Sequence, residues 1–168
     1  MKYAAMMNAK LEMKKLAIRN ILVVAGVLVG AAASPSIAED RKNYFDDPFV
    51  RATDGIADCP VPEGPSMTEA QSRVEAHVRS ERGTRCYLEG RCRLPNSYQY
   101  DREIIALVKK AIVANGHFKD TSVWALGQRR WVFLRGCVRS KEQSQDLERW
   151  VRGVDDVERV INELTIRE

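Results

Sequence analysis

The sequence lacks the groups that most enzymes need. Its 168 residues include only two histidines, His77 and His117, in unrelated contexts. There is no nucleophile elbow, phosphate loop or metal-ligand spacing. Asp155-Asp156 reads as a turn rather than a carboxylate pair. The chain is therefore expected to be a non-enzyme, with no cofactor and no small-molecule substrate. Cys-x-x-Cys is missing as well, which removes the usual dithiol redox site. Cys86 and Cys92 have five residues between them, where zinc ligands usually have about two to four, and His77 has no second histidine at i+4, so no metal is expected. No apolar run reaches the roughly 20 residues needed to cross a bilayer.

What the N-terminus does have is a leader pattern. Lys14, Lys15 and Arg19 precede an apolar run from Ile21 to Ala33, followed by Ser34-Pro35-Ser36-Ile37-Ala38. A positive flank, a short apolar core and small residues describe a secretory signal peptide over residues 1–38, cleaved after Ala38. Met13-Lys14-Lys15 also has the form of a natural start, so translation begins at Met1 or at Met13. No cysteine stands at the cleavage point, which argues against a lipid-anchored precursor. The whole chain carries 27 Lys+Arg and 23 Asp+Glu, net +4. Residues 1–38 hold five of the bases and one of the acids, which leaves 22 of each sign beyond them. The basic balance belongs to the leader and gives no reason to expect nucleic acid. All four cysteines, Cys59, Cys86, Cys92 and Cys137, lie beyond the leader. An even count in an oxidising compartment implies disulfides, with three pairings open.

Residues 39–100 read as an extension. Proline density from Cys59 to Pro65 excludes regular helix and gives an extended arm. Tyr44, Phe45, Phe49 and Ile56 make the arm too apolar for a linker. A helix is expected over about 66–82, with Ser66 and Glu69 as a capping box, Met67, Ala70, Val74 and Val78 on its apolar face, and Gly83 as its stop. Arg73, Glu75, Arg79 and Glu81 mark a solvated flank. Arg82, Arg85, Arg91 and Arg93 then surround Cys86 and Cys92. A local disulfide there would add about 2 kcal/mol through loop-closure entropy. This loop reads either as an anion-binding knuckle, with Arg85 and Arg91 as contacts, or as a cross-linked surface loop partnered by Glu81 and Glu89.

Beyond Tyr100 the signals are regular. Asp101 is expected to cap a helix with Ile104, Ile105, Val108, Ala111 and Ile112 on one face, stapled by Tyr100 and ended by Gly116. Thr121–Leu126 reads as a strand, Gly127–Arg130 as the turn, and Trp131–Arg139 as the second strand. Ser140 and Gln143 form a capping box for a helix through Leu147, Trp150 and Val151. Gly153–Asp156 breaks that helix, and Val157–Ile166 is a last strand.

This order of residues resembles the BON domain, the module named for bacterial osmotically inducible periplasmic and nodulation proteins. Val132, Leu134, Gly136 and Val138 match its central Val-x-Leu-x-Gly-x-Val piece. Val157, Val160, Asn162 and Leu164 match the final piece. Asp156 takes the place of the usual glycine, and aspartate tolerates a left-handed backbone better than most residues. The resemblance covers residues 101–166 and implies an α+β fold, a single α-β-β-α-β domain with helices on one face of a small mixed sheet. It also implies a non-enzymatic periplasmic or envelope module that associates with phospholipid or with other envelope proteins. Many relatives carry two copies, and this chain carries one.

Alternation divides the strands into two faces. Val123, Ala125, Val132, Leu134, Val138, Val160, Leu164 and Ile166 should lie under the helices. Trp124, Leu126, Trp131, Phe133, Arg135, Cys137, Ile161, Glu163 and Thr165 form the other face, which is far more apolar than a solvated face should be. Its three large aromatics offer roughly 500 Å² of apolar area, and covering it is worth on the order of 12 kcal/mol gross. Either the extension folds over this face, tied through Cys137 by a bridge such as Cys59–Cys137, or the face docks lipid or protein. In the docking case Trp131 and Phe133 would make the contacts, with Arg129, Arg130, Arg135 and Arg139 reaching head groups. Cys137 favours the cover, because the other cysteines all lie in the extension. The expected function is envelope maintenance through phospholipid surfaces. The alternatives are docking onto an envelope protein and a stress-resistant structural scaffold.

Overall fold

The computed structural model describes residues 40–167, and the leader expected at 1–38 lies outside them. The elements run β1 (Phe49–Arg51), α1 (Glu69–Leu88), one 3₁₀ turn (Ser97–Tyr100), α2 (Asp101–Asn115), β2 (Ser122–Gln128), β3 (Trp131–Val138), α3 (Lys141–Arg152) and β4 (Arg159–Ile166). The four strands form one sheet in the order β1-β2-β3-β4. β1 and β3 flank β2 antiparallel, and β4 lies parallel to β3, with α3 as the crossover that a parallel pair requires. The α+β fold with a mixed sheet is as the sequence implies. The strand β1 comes from the extension and was not expected.

The main core is apolar and follows the sequence periodicity. Ile104, Ile105, Val108 and Ile112 of α2, with Leu147 and Val151 of α3, pack on Val123, Ala125, Val132, Leu134, Val138 and Val160. Ile166 departs from the expected set and is exposed, because it sits at the outer end of an edge strand. Helix α3 starts where Ser140 accepts the Gln143 N–H at 3.1 Å. The Gln143 side chain accepts from Arg139 N at 2.8 Å, so the cap closes one residue earlier than a standard box. Asp156 does take the left-handed backbone, at φ 64°.

Gly136 shows why the central motif needs glycine. Its φ is +115°, and a Cβ there would lie 2.1 Å from the Ser122 carbonyl oxygen and 3.0 Å from the Trp124 ring. Only a residue without Cβ lets β2 and its tryptophan approach this closely.

Several boundaries differ from expectation for local reasons. Gly127 and Gln128 belong to β2, and the turn is only Arg129-Arg130, both left-handed at φ 59° and 65°. This is a two-residue hairpin turn. Strand β3 stops at Val138, and β4 begins at Arg159 because Val154–Val157 closes a turn through Val157 N–H to Val154 O. Asp101 does not cap its helix; it is the first helical residue. Helix α1 begins after Thr68, which with Gln71 forms the capping box, and runs on through Gly83. It cannot begin at Ser66, because Met67 is still extended and pairs with Lys42. Gly83 serves close approach instead of termination: a Cβ there would meet Asn96 Oδ1 at 2.3 Å.

The buried face of α1 is also not the apolar one. Ser72, Arg79, Gly83 and Cys86 point inward, while Val74 is exposed. Arg79 donates to both oxygens of buried Asp47 at 2.6 Å and to Glu75 at 3.1 Å. The rings of Phe45 and Tyr98 flank its guanidinium at 4.1 and 4.4 Å. The arginine expected on a solvated flank is thus an internal anchor.

The second sheet face is covered around Trp124 and Cys137. Ile56 and Cys59 of the arm bury against Trp124 and Cys137, with Phe49 packed alongside. A disulfide joins Cys59 to Cys137, 78 residues apart in sequence, and Cys86 is joined to Cys92. The arm is also held by hydrogen bonds. Ile56 N–H donates to Ser122 Oγ at 2.9 Å, and that hydroxyl donates back to Ile56 O at 3.0 Å.

Candidate functional site

The arginines singled out from the sequence fall into separate places. Arg135 donates to Glu163 at 2.6 Å and to the Glu63 carbonyl at 3.1 Å, so it clamps the arm to the sheet. Arg139 reaches only the Gly55 carbonyl, at 3.5 Å. Trp131 and Phe133 are half-buried. Trp131 lies between the guanidiniums of Arg129 and Arg159, at 4.4 and 4.6 Å from its ring. Its indole N–H is buried without a partner.

The hairpin turn is built around Asp101. Its carboxylate accepts the Arg129 and Arg130 N–H groups, both at 2.7 Å. These bonds offset the cost of two non-glycine residues in the left-handed region, about 1 kcal/mol or more each. Burial pushes the Asp101 carboxyl up to about 7, against the opposing pull of the two N–H donors. The two arginines so placed do different work. Arg130 is internal: it donates to the Asp156 carbonyl at 2.8 Å and to Cys92 Sγ at 3.1 Å, and it covers the Tyr100 ring at 5.1 Å. Arg129 faces a cavity.

That cavity is the place where predicted residues converge. It has a volume of about 300 Å³ and is lined by Arg82, Arg85, Arg91 and Arg129 against Glu89 and Glu158. Glu89 is shared by Arg85, at 3.0 Å, and Arg91; the shared contacts hold its carboxyl below its ordinary value, chiefly through the Arg91 and then the Arg85 hydrogen bond. Arg82 and Arg129 form no ion pair among the described residues. Ser97 is also part of the wall, and its hydroxyl is buried without a partner. Beside the cavity, the last turn of α1 exposes Tyr87 (49 %) and Leu88 (80 %).

Arg85, Arg91 and Arg129 were visible as candidates, and Arg82 as a neighbour of the cysteines. Ser97 and Glu158 carry no local signal, because only the tertiary fold brings them to the loop. The role of Asp101 was hidden because its sequence context reads equally well as a helix cap.

Among the described residues, no group of three or more His, Cys, Asp or Glu side chains is placed to hold a metal ion. No helix among them is long and apolar enough to cross a membrane. Residues 100–168 match the family model described as BON domain. That family is generally non-enzymatic and envelope-associated, and together with the two disulfides it fits an exported protein. No curated protein and no solved structure matches the chain.

Proposed function

We propose that this chain, which carries a BON domain at residues 100–168, is an exported protein without catalytic activity that helps maintain the cell envelope by holding to phospholipid surfaces. In this reading residues 1–38 are the signal peptide, cleaved after Ala38, and the destination is the periplasm. Residues 39–100 are the extension and 101–166 the BON-like domain.

The observation that carries it is the tip of α1. Exposed Tyr87 and Leu88 sit at the helix end that also bears Arg82 and Arg85, with Arg91 just beyond. An apolar pair within a basic cluster suits the interface of an anionic bilayer. The apolar side chains enter the headgroup boundary, and each nearby arginine adds about 1 kcal/mol. In this reading the sheet face is not the contact, because the arm occupies its part around Trp124 and Cys137. Arg130 and Arg135, which are engaged with the protein itself, are not the contacts in this reading.

Co-sedimentation with vesicles tests it. Binding should require phosphatidylglycerol in a phosphatidylcholine background, weaken as salt rises, and fall when Tyr87 and Leu88 are both changed to Ser. Binding that ignores lipid charge and salt would contradict it. A protein partner is the second reading, favoured by β4, which lies at the end of the sheet and pairs only with β3. Such an edge accepts an added strand. Arg167 N–H donates to Val138 O, so alternation along β4 turns the Val160 N–H away from β3. If no vesicle binds, pull-down from envelope extract tests this alternative, and Val160→Pro, which removes that outward donor, should abolish the capture.

A further inference from the structure

The cavity behind the α1 tip has features that a general surface attraction does not require. Four arginines face two glutamates across about 300 Å³, within the size range of small-ligand sites. Glu89 is occupied by Arg85 and Arg91, which leaves Arg82 and Arg129 to set the potential inside, opposed only by Glu158. Ser97 of the wall is a residue 2 % exposed, and its hydroxyl is enclosed without a partner. Native proteins rarely leave such a group unsatisfied without a reason. Arg129 is held here by a left-handed backbone, φ 59°, fastened to Asp101 at 2.7 Å. Strain of this kind at a non-glycine residue gathers where a side chain has to be placed. Asparagine or glycine would make the same turn more easily, so what arginine adds at this position is its side chain.

We propose that this cavity is a binding site for a single phosphate group, in which Arg82 and Arg129 supply paired guanidinium donors. Guanidinium forks match the oxygens of a phosphate, and bonds to the ionised group are stronger than neutral ones. The donors come from two segments, α1 and the β2–β3 turn. The site therefore exists only where the extension meets the BON domain. The chemistry recognised is a phosphate monoester, a diester or the free ion. That a lipid headgroup is its natural source rests on the surface reading above.

Titration of inorganic phosphate into the purified protein, followed by calorimetry, tests the site itself. Saturation at one phosphate per chain is expected. Arg129→Asn should weaken binding at least tenfold while leaving the melting temperature unchanged or raised, because asparagine accepts the left-handed turn. Arg82→Gln should weaken it similarly. Phosphate that fails to saturate, or that binds both variants as it binds the parent, overturns the proposal even if vesicles still bind. Sedimentation with phosphatidylglycerol vesicles separates the sources. If Arg129→Asn loses both phosphate and vesicles, the headgroup is the ligand. If it loses phosphate alone, the site stands for the free ion, and the surface contact lies elsewhere on the tip.

Discussion

Residues 101–166 bury Ile104, Val108, Val132, Leu134 and Leu147 in one apolar cluster. Residues 40–100 bury Arg79, Asp47 and Ser72, together with the half-cystines Cys59 and Cys86. The first region folds around apolar surface and the second is fastened by charge and covalent bonds. The difference follows from what each has available. The domain has two helices and a sheet to sandwich, whereas the arm and α1 offer too few apolar side chains to make a core of their own. They gain order by attachment, and the attachment completes the domain in return by adding β1 and closing the Trp124 face.

This contrast can be broken most strongly at Arg79. Replacing it by Ala leaves the Asp47 carboxylate buried and partly unpaired, and about 3–5 kcal/mol of stability should be lost. Hydrogen exchange should show α1 losing protection while α2 and α3 keep theirs. Equal loss in both regions would mean that they do not differ in how they are held. Replacing Cys59 and Cys137 together by Ser should cost roughly 4 kcal/mol, seen in denaturant unfolding, and should shift tryptophan emission to the red as Trp124 is uncovered. The shorter bridge matters less: changing Cys86 and Cys92 to Ser should cost about 2 kcal/mol, with α1 fraying from its C-terminal end.

A further test is a pH dependence at the seam, where burial of Asp101 outweighs the pull of its two N–H donors. Its carboxyl rises from 3.8 to about 7 on folding, so the folded state favours the protonated form. The resulting stabilisation is fully present below the unfolded value and is lost as pH climbs through the folded one. Denaturant unfolding should therefore show stability falling from about pH 4 to pH 8 relative to Asp101→Asn, which lacks this proton. A parent and variant that run parallel across that window would contradict the assignment.

How much of this was legible in the sequence follows the same division. The domain's helices and strands came from apolar periodicity, capping residues and Gly116, and errors there were confined to ends such as Gly127–Gln128 and Val157–Glu158. Helix α1 was visible as a helix, but its inward face was not. Arg79 looks like any exposed arginine until Asp47, 32 residues earlier, is brought against it. Cys137 on a strand face signalled that something covered that face, yet only geometry chose Cys59 as its partner. For the candidate site, the arginines around the short disulfide were evident, while Ser97, Glu158 and the hold of Asp101 on the turn arise from contacts that no local pattern records.

The extension is fastened over the second sheet face by one long-range covalent bond, and the choice of the α1 tip as the membrane contact rests on that face being closed. Mass mapping of a non-reduced digest measures this directly. A linked peptide pair containing Cys59 and Cys137, with Cys86 joined to Cys92, is the predicted result. A free Cys137 thiol, or Cys137 joined to Cys86 or Cys92, would contradict it.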